Sequence, residues 1–207
     1  QRLLKQRNSA LKCGTMRDDV RASFDPALAD VAEQLNSLRE GYLKLLEPVF
    51  FELLSGLVDL PDLKVGFYSG WSANRNYADI LEETLDRDLQ LGYTQRGPQR
   101  ADLKLTLNGV NAAERLSRGQ QKLVVVALKL AQGKLLSKAE GRKCVFLVDD
   151  LAAELDLSHR REICQQLVNL DTQVFVTSVG PNELTGCWPE EAKVKMFHVK
   201  HGQVSQE

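Results

Sequence analysis

Two stretches decide how this chain folds: Leu116-Ser117-Arg118-Gly119-Gln120-Gln121-Lys122, and further along Val145-Phe146-Leu147-Val148-Asp149-Asp150, trailed by Ala153-Glu154-Leu155-Asp156. In the first, Ser117 and Gly119 sit at the mouth of a long apolar helix. A helix N-terminus presents free N–H groups and the positive end of its dipole, which suits a phosphate. Glycine admits close backbone approach and the serine hydroxyl can donate to an oxygen. Serine also caps helices that bind nothing, so this segment alone is weak. In the second, an apolar strand ends in two carboxylates, where open α/β sheets place their sites. Asp149 could hold Mg²⁺ directly or through water, and Asp150 could orient or deprotonate an attacking water. Alone, this too reads equally as a strand that runs into a polar turn.

Together the two are far more specific. An LSxGQ segment opening a buried helix, then an apolar strand ending in two acids, then an xLD turn, resembles the signature motif, Walker B strand and D-loop of ABC-type ATPases. Within that superfamily the chain resembles the RecF family of Rad50-like DNA-repair ATPases. Gly97-Pro98-Gln99-Arg100-Ala101-Asp102-Leu103 resembles the family's GPHR-like stretch, and RLLKQRN (2–8) and TLDRDLQLGYT (84–94) are also similar to it.

The resemblance implies a mixed α/β fold: the C-terminal lobe of an ABC-type ATPase head joined to a helical arm domain. It implies an ATP-dependent mediator of recombination and repair that binds gapped DNA at single-strand/double-strand junctions. Such a protein dimerises on ATP and helps load RecA together with RecO and RecR, serving DNA repair, replication restart and SOS induction in the bacterial cytoplasm. ATP and Mg²⁺ are the implied cofactors. Ser117, Arg118, Gly119, Gln120 and Asp156 would contact the partner subunit's ATP, Asp149 would coordinate Mg²⁺, and Asp150 would be the catalytic group. The alternative is a non-catalytic protein-interaction piece of another ABC or Rad50-like ATPase. A transporter subunit fits less well, given the helical segment of roughly 60 residues.

The departures from the family pattern matter. No GxxxxGK[ST] occurs in the chain, so the phosphate-cradling loop and its lysine are not here. In the family they lie in the N-terminal half, and a first residue Gln1 set inside a helix also reads as a fragment. The chain alone is then expected to be inactive, and the full-length protein a slow ATPase. Asp150 stands where many relatives have Glu, and its shorter side chain reaches less far toward water. Ser178 stands where many ABC proteins have a switch His, and Gln99 where the family often has His.

Outward from the motifs, the spacing predicts helices over the first 60 residues. Asp25-Pro26 reads as a helix start. Leu28, Val31, Leu35, Leu38, Tyr42, Leu45 and Val49 form a heptad seam, the mark of an antiparallel arm or of a bundle core. Pro48 predicts a kink. A strand is expected over 64–71, a helix over 77–89, and a half-buried strand through Leu103, Leu105 and Leu107 into an Asn108-Gly109 turn. The helix over 122–136 is apolar on nearly all sides and should be buried. The runs 144–148 and 173–177 read as parallel strands covered on both faces, with a helix over 158–170 and a last strand and turn near His201-Gly202. Apolar strand surface uncovered by truncation would invite self-association. The arm domain is placed at 1–95 and the ATPase lobe at 96–207.

Composition narrows the class. With 43% hydrophobic and 27% charged residues the chain is an ordinary globular one, and its net charge of −1 is not that of a strongly basic nucleic-acid-binding domain, though a local basic patch is compatible. Arg2, Lys5, Arg7 and Lys12 are basic but equally consistent with a solvated helix face. Cys13, Cys144, Cys164 and Cys187 form no CxxC pair and read as reduced thiols; His198 and His201 read as surface residues. No apolar run approaches the ~20 residues of a membrane helix.

Overall fold

The computed structural model describes residues 1–141, 143–152 and 155–206, and it divides into two compact units. Residues 1–47 and 62–115 form the first; residues 48–61 and 116–207 form the second. Helix α2 contributes to both, its last turns belonging to the second unit.

The first unit opens with α1 (Arg2–Lys12) and α2 (Asp18–Ser55). Strand β1 (Leu63–Tyr68) follows, then α3 (Tyr77–Glu83), α4 (Leu85–Leu91), β2 (Asp102–Leu107), β3 (Val110–Asn111) and α5 (Ala112–Arg115). β2 is the middle strand of an antiparallel sheet, with Leu63 opposite Leu107 and Tyr68 opposite Asp102. Asn108 and Gly109 both have positive φ (51° and 78°), as the tight hairpin between β2 and β3 requires. The core gathers Leu28, Ala29, Ala32, Trp71, Tyr77, Ile80 and Leu81, with Leu3 and Leu4 packed against it. The Trp71 and Tyr77 rings lie 4.6 Å apart.

Four expectations for this unit are overturned. Asp25-Pro26 does not start a helix: α2 begins at Asp18 and runs through both Pro26 and Pro48. The Asp25 carboxylate is taken up by Arg7 (Nε to Oδ1, 2.8 Å) and so caps nothing. Burial of Leu28, Ala29 and Ala32 holds the helix across the hydrogen bond that Pro26 removes. The heptad seam is helical but internal only at its ends: Leu28 and Val49 are buried, while Val31, Leu38, Tyr42 and Leu45 between them are exposed. Arg7 is no solvated residue. Its side chain is fully buried, its Nη1 donating to Asp88 Oδ2 at 2.8 Å and to Thr94 Oγ1 at 2.7 Å. The helix expected over 77–89 divides at Thr84, whose hydroxyl donates to the Ile80 carbonyl and closes α3.

The second unit contains the end of α2, then α6 (Arg118–Glu140), β4 (Val145–Val148), α7 (Leu157–Asn169), β5 (Gln173–Val176) and the hairpin β6 (Phe197–Lys200) with β7 (Gln203–Gln206). β4 and β5 pair in parallel, Val145 beside Gln173 and Val148 beside Val176. That parallel pairing is what the apolar runs predict. Gln166, buried on α7, donates to the Leu53 carbonyl at 2.9 Å and so ties α7 to the end of α2. Gly133 on α6 leaves room for Phe146; a Cβ there would stand 2.6 Å from the ring.

Two burial expectations are also corrected. α6 is buried along one side only, through Leu123, Val124, Ala127, Leu130 and Ala131, while Val125 and Leu136 are exposed. The strands are not covered on both faces: Val145, Leu147 and Phe175 point into solvent, Leu147 being 78% exposed. On the other face Phe146 packs against α6 at Gly133. The exposed apolar strand surface expected above is therefore present.

All four cysteines are free, Cys13 exposed and Cys164 and Cys187 buried. Burial, with a smaller contribution from Cys187, pushes the Cys164 thiol up to about 12. Among the described residues no helix is long and apolar enough to cross a membrane.

Candidate nucleotide-binding site

All the residues singled out in the sequence for nucleotide chemistry lie in the second unit. Ser117 is the N-cap of α6, with extended backbone (φ −62°, ψ 161°). Its Oγ accepts from the Gln120 N–H at 3.2 Å, and Gln120 Oε1 accepts from the Ser117 N–H at 3.0 Å. This reciprocal box fixes the start of the helix. It also gives Gln120 a structural task that sequence reading had not assigned. Helix geometry leaves the N–H groups of Arg118 and Gly119 without an intrahelical acceptor. They are the donors that this end of α6 can offer an anion.

The acid pair stands at the C-terminal end of β4. Asp149 is exposed and Asp150 half-buried. Asp150 lies in the left-handed region, at φ 48°, a conformation aspartate tolerates better than most residues. The turn is held by Thr177, just past β5. Its N–H donates to the Val148 carbonyl at 3.0 Å. Its hydroxyl donates to Asp149 Oδ1 at 2.5 Å and accepts the Asp150 N–H at 2.9 Å. Thr177 therefore orients both acids. The sequence held one signal for it: a hydroxyl at the end of a strand parallel to the one that ends in the acids. Asp149 Oδ2 and the Asp150 carboxylate have no partner among the described residues. Ser178, at the switch-histidine position, donates instead to the Gly180 carbonyl at 3.1 Å.

Asp156 is the N-cap of α7. Its Oδ1 accepts from the His159 N–H (2.9 Å) and the Ser158 hydroxyl (2.7 Å), and lies 2.9 Å from His159 Nδ1. The backbone hydrogen bond from His159, then that from Ser158, holds the carboxyl at about 2. Ala153 and Glu154 of the same segment lie outside the described residues.

The structure thus brings Asp149 and Asp150 together. Among the described residues, no hydrogen bond or ion pair joins residues 117–120 to Asp149, Asp150 or Asp156. No cluster of three or more metal-ligating side chains is present among them either. One open carboxylate oxygen beside a second acid suits Mg²⁺, which takes one or two carboxylates and completes its shell with phosphate oxygens and water.

A sequence profile of the family described as RecF/RecN/SMC N terminal domain matches residues 16–205. The chain is 48% identical over 206 residues to the DNA replication and repair protein RecF of Pseudomonas aeruginosa (strain LESB58), covering 100% of this chain and 56% of that protein. It is 46% identical over the same length to the RecF of Stutzerimonas stutzeri (strain A1501), again covering 56% of it. The chain therefore spans about half the length of the curated relatives it matches. Among solved structures, the recombination mediator protein RecF with ATP superposes with a TM-score of 0.76 at 24% identity, over 100% of this chain and 56% of that one. RecF with ATPrS gives a TM-score of 0.74 at 24% identity, over 99% and 56%. At that identity the superpositions establish the fold.

Proposed function

This chain belongs to the RecF/RecN/SMC N terminal domain family, and on that premise we propose that it is the signature and Walker B part of an ATP-gated DNA-repair mediator. The observation that carries this is the acid pair at the end of β4: Thr177 fixes both residues while Asp149 Oδ2 and the Asp150 carboxylate stay open.

In this reading Asp149 holds Mg²⁺ together with the nucleotide phosphates. The ion, when bound, neutralises charge on the phosphates being separated. Asp150 positions the attacking water and takes its proton. Its short side chain makes hydrolysis slow, which suits a timer rather than a motor. The Arg118 and Gly119 N–H groups and the Ser117 hydroxyl meet the γ-phosphate of a nucleotide held by the partner subunit. That arrangement agrees with the lack of any bond between residues 117–120 and the acids inside one chain. Asp156, which caps α7, completes the contacts to that nucleotide.

The ATP-closed dimer then grips gapped DNA at single-strand/double-strand junctions and, with RecO and RecR, helps load the recombinase. ATP is named with one of the solved RecF structures, and the repair role agrees with the relatives' name. A second reading, a non-catalytic docking piece, draws on the open apolar face of β4 and β5.

The test is gapped-DNA binding by the full-length protein, with and without ATP–Mg²⁺, followed by fluorescence anisotropy. Binding that requires ATP, and that Ser117→Arg abolishes without loss of ATP binding, supports the reading. Normal ATP-dependent dimerisation of Ser117→Arg removes the signature residues from the interface. DNA binding indifferent to ATP would leave the docking reading.

A further inference from the structure

The first unit carries a groove to which nothing above gives a use. It has a volume of about 490 Å³ and is lined by Tyr68, Tyr93, Arg96, Arg100, Lys104 and Asp102, among others. Three cations face one acid there. None of the three cations forms an ion pair with a described acid. Arg7 of the same unit, by contrast, pairs with Asp25 and Asp88.

The groove is built rather than incidental. Gly97 donates its N–H to the Gly70 carbonyl at 3.0 Å. A Cβ at Gly70, where φ is 102°, would stand 1.9 Å from the Gly97 oxygen, so only glycine permits this approach. The buried Tyr77 donates its hydroxyl to the Arg96 carbonyl at 2.8 Å, and Arg39 Nη1 donates to the Pro98 carbonyl at 2.8 Å. Gln99 donates its amide to the Thr94 and Arg96 carbonyls, both at 3.1 Å. The backbone that carries Arg96 and Arg100 is thus pinned from four sides.

The two tyrosines are not equivalent. Tyr68 is already occupied: Lys104 Nζ lies 4.8 Å from its ring centroid, and Arg96 Nη1 donates to its hydroxyl at 3.3 Å. Tyr93 stacks on no other described aromatic ring and is 41% exposed. A free aromatic face within a basic groove is the combination that receives single-stranded nucleic acid, the cations tracking phosphates and the ring stacking an unpaired base. Bases inside a duplex are already stacked and cannot reach such a ring.

We infer that this groove binds single-stranded DNA, with Arg96, Arg100 and Lys104 on the phosphodiester backbone and Tyr93 under a base. The inference rests on the DNA-binding reading above and assigns the unpaired strand of a gap to a particular surface.

The test uses the full-length protein with a fluorescein-labelled dT oligomer of roughly 12 nucleotides, a blunt duplex and a gapped duplex, each titrated across a salt series. Tyr93→Ala should weaken oligo-dT binding roughly ten-fold, leave the blunt duplex unchanged, and be rescued by Tyr93→Phe. Arg96→Ala, Arg100→Ala and Lys104→Ala should each lower the salt slope for oligo-dT by about 0.7. Thermal melts confirm that each of these exposed-site variants folds. Oligo-dT and gapped-DNA binding that all four alanine variants leave untouched overturns the groove assignment while the DNA-binding reading stands. Losses in the cation variants with none in Tyr93→Ala overturn the stacking role and leave the groove as a contact to phosphates alone. Groove-dependent binding that ignores ATP overturns the ATP-gating reading and keeps the groove. No binding of any DNA overturns both.

Discussion

The two units spend their polar groups in opposite ways. In the first, even charge is sealed inside. Arg7 is buried against Asp25, Asp88 and Thr94; Asn8 Oδ1 accepts both the N–H and the hydroxyl of Thr94; and Asp88 Oδ1 accepts the Gln95 N–H. In the second, the carboxylates that matter lie at the surface, held by hydroxyls and helix-capping N–H groups, and half of the small parallel sheet is bare. A buried ion cluster adds little net stability but punishes the loss of any member, and it fixes one arrangement of α1, α2 and α4. An exposed acid held by one hydroxyl stays available to a metal or a water. The difference separates a unit built to hold shape from one built to be completed by something else.

The largest effect should come from breaking the sealed side. Arg7→Leu leaves Asp25 and Asp88 without their partner and should cost the first unit about 3–5 kcal/mol. The chain has two tryptophans, Trp71 in the first unit and Trp188 in the second. In a Trp188→Phe background, urea unfolding read by Trp71 fluorescence isolates the first unit. Hydrogen exchange in α7 should stay unchanged; a fall there as large as the shift at Trp71 would show that the units unfold as one. Next comes the clamp on the acids. Thr177→Val should destabilise the second unit by about 1 kcal/mol, read by Trp188, with Thr177→Ser restoring most of it. Smaller again is the cap on α7. The Asp156 carboxyl is held at about 2 against an ordinary 3.8, so its contribution is present above 3.8 and is lost as pH falls through about 2. The Tm difference between the parent and Asp156→Ala should be constant from neutral pH to about 4 and vanish near 2. Leu147→Ser should change stability by less than about 0.5 kcal/mol, because Leu147 is 78% exposed, yet sedimentation should show less self-association. A clear loss of stability would mean that this face is covered after all.

How much the sequence disclosed follows the same division. The order of elements from Ser117 to Val176 was legible, because helix caps, apolar strands and acids at a strand end are local and leave local marks. The hairpin at Asn108-Gly109 was legible for the same reason. What escaped depends on partners distant in sequence. Asp25 looks like a helix cap until Arg7, eighteen positions earlier, is seen to take it. Arg7 looks like a solvated residue until Asp88 arrives beside it, eighty-one positions later. Thr177 gains its meaning only from the pairing of β5 with β4. The heptad seam on α2 shows that periodicity fixes which residues share a face but not whether anything covers that face.

The distribution of thiols makes the chain ready for site-selective labelling. Cys13 is exposed at the end of α1, Cys144 is half-buried, and Cys164 and Cys187 are buried, the proton of Cys164 held tightly. A maleimide dye therefore reacts first at Cys13 without any engineered cysteine. Its neighbour Lys12 lies against Gly92, where an added Cβ would meet the Lys12 Cα at 3.6 Å, and Gly92 directly precedes Tyr93. A fluorophore attached there stands beside the basic groove and would report its occupancy as a change in brightness.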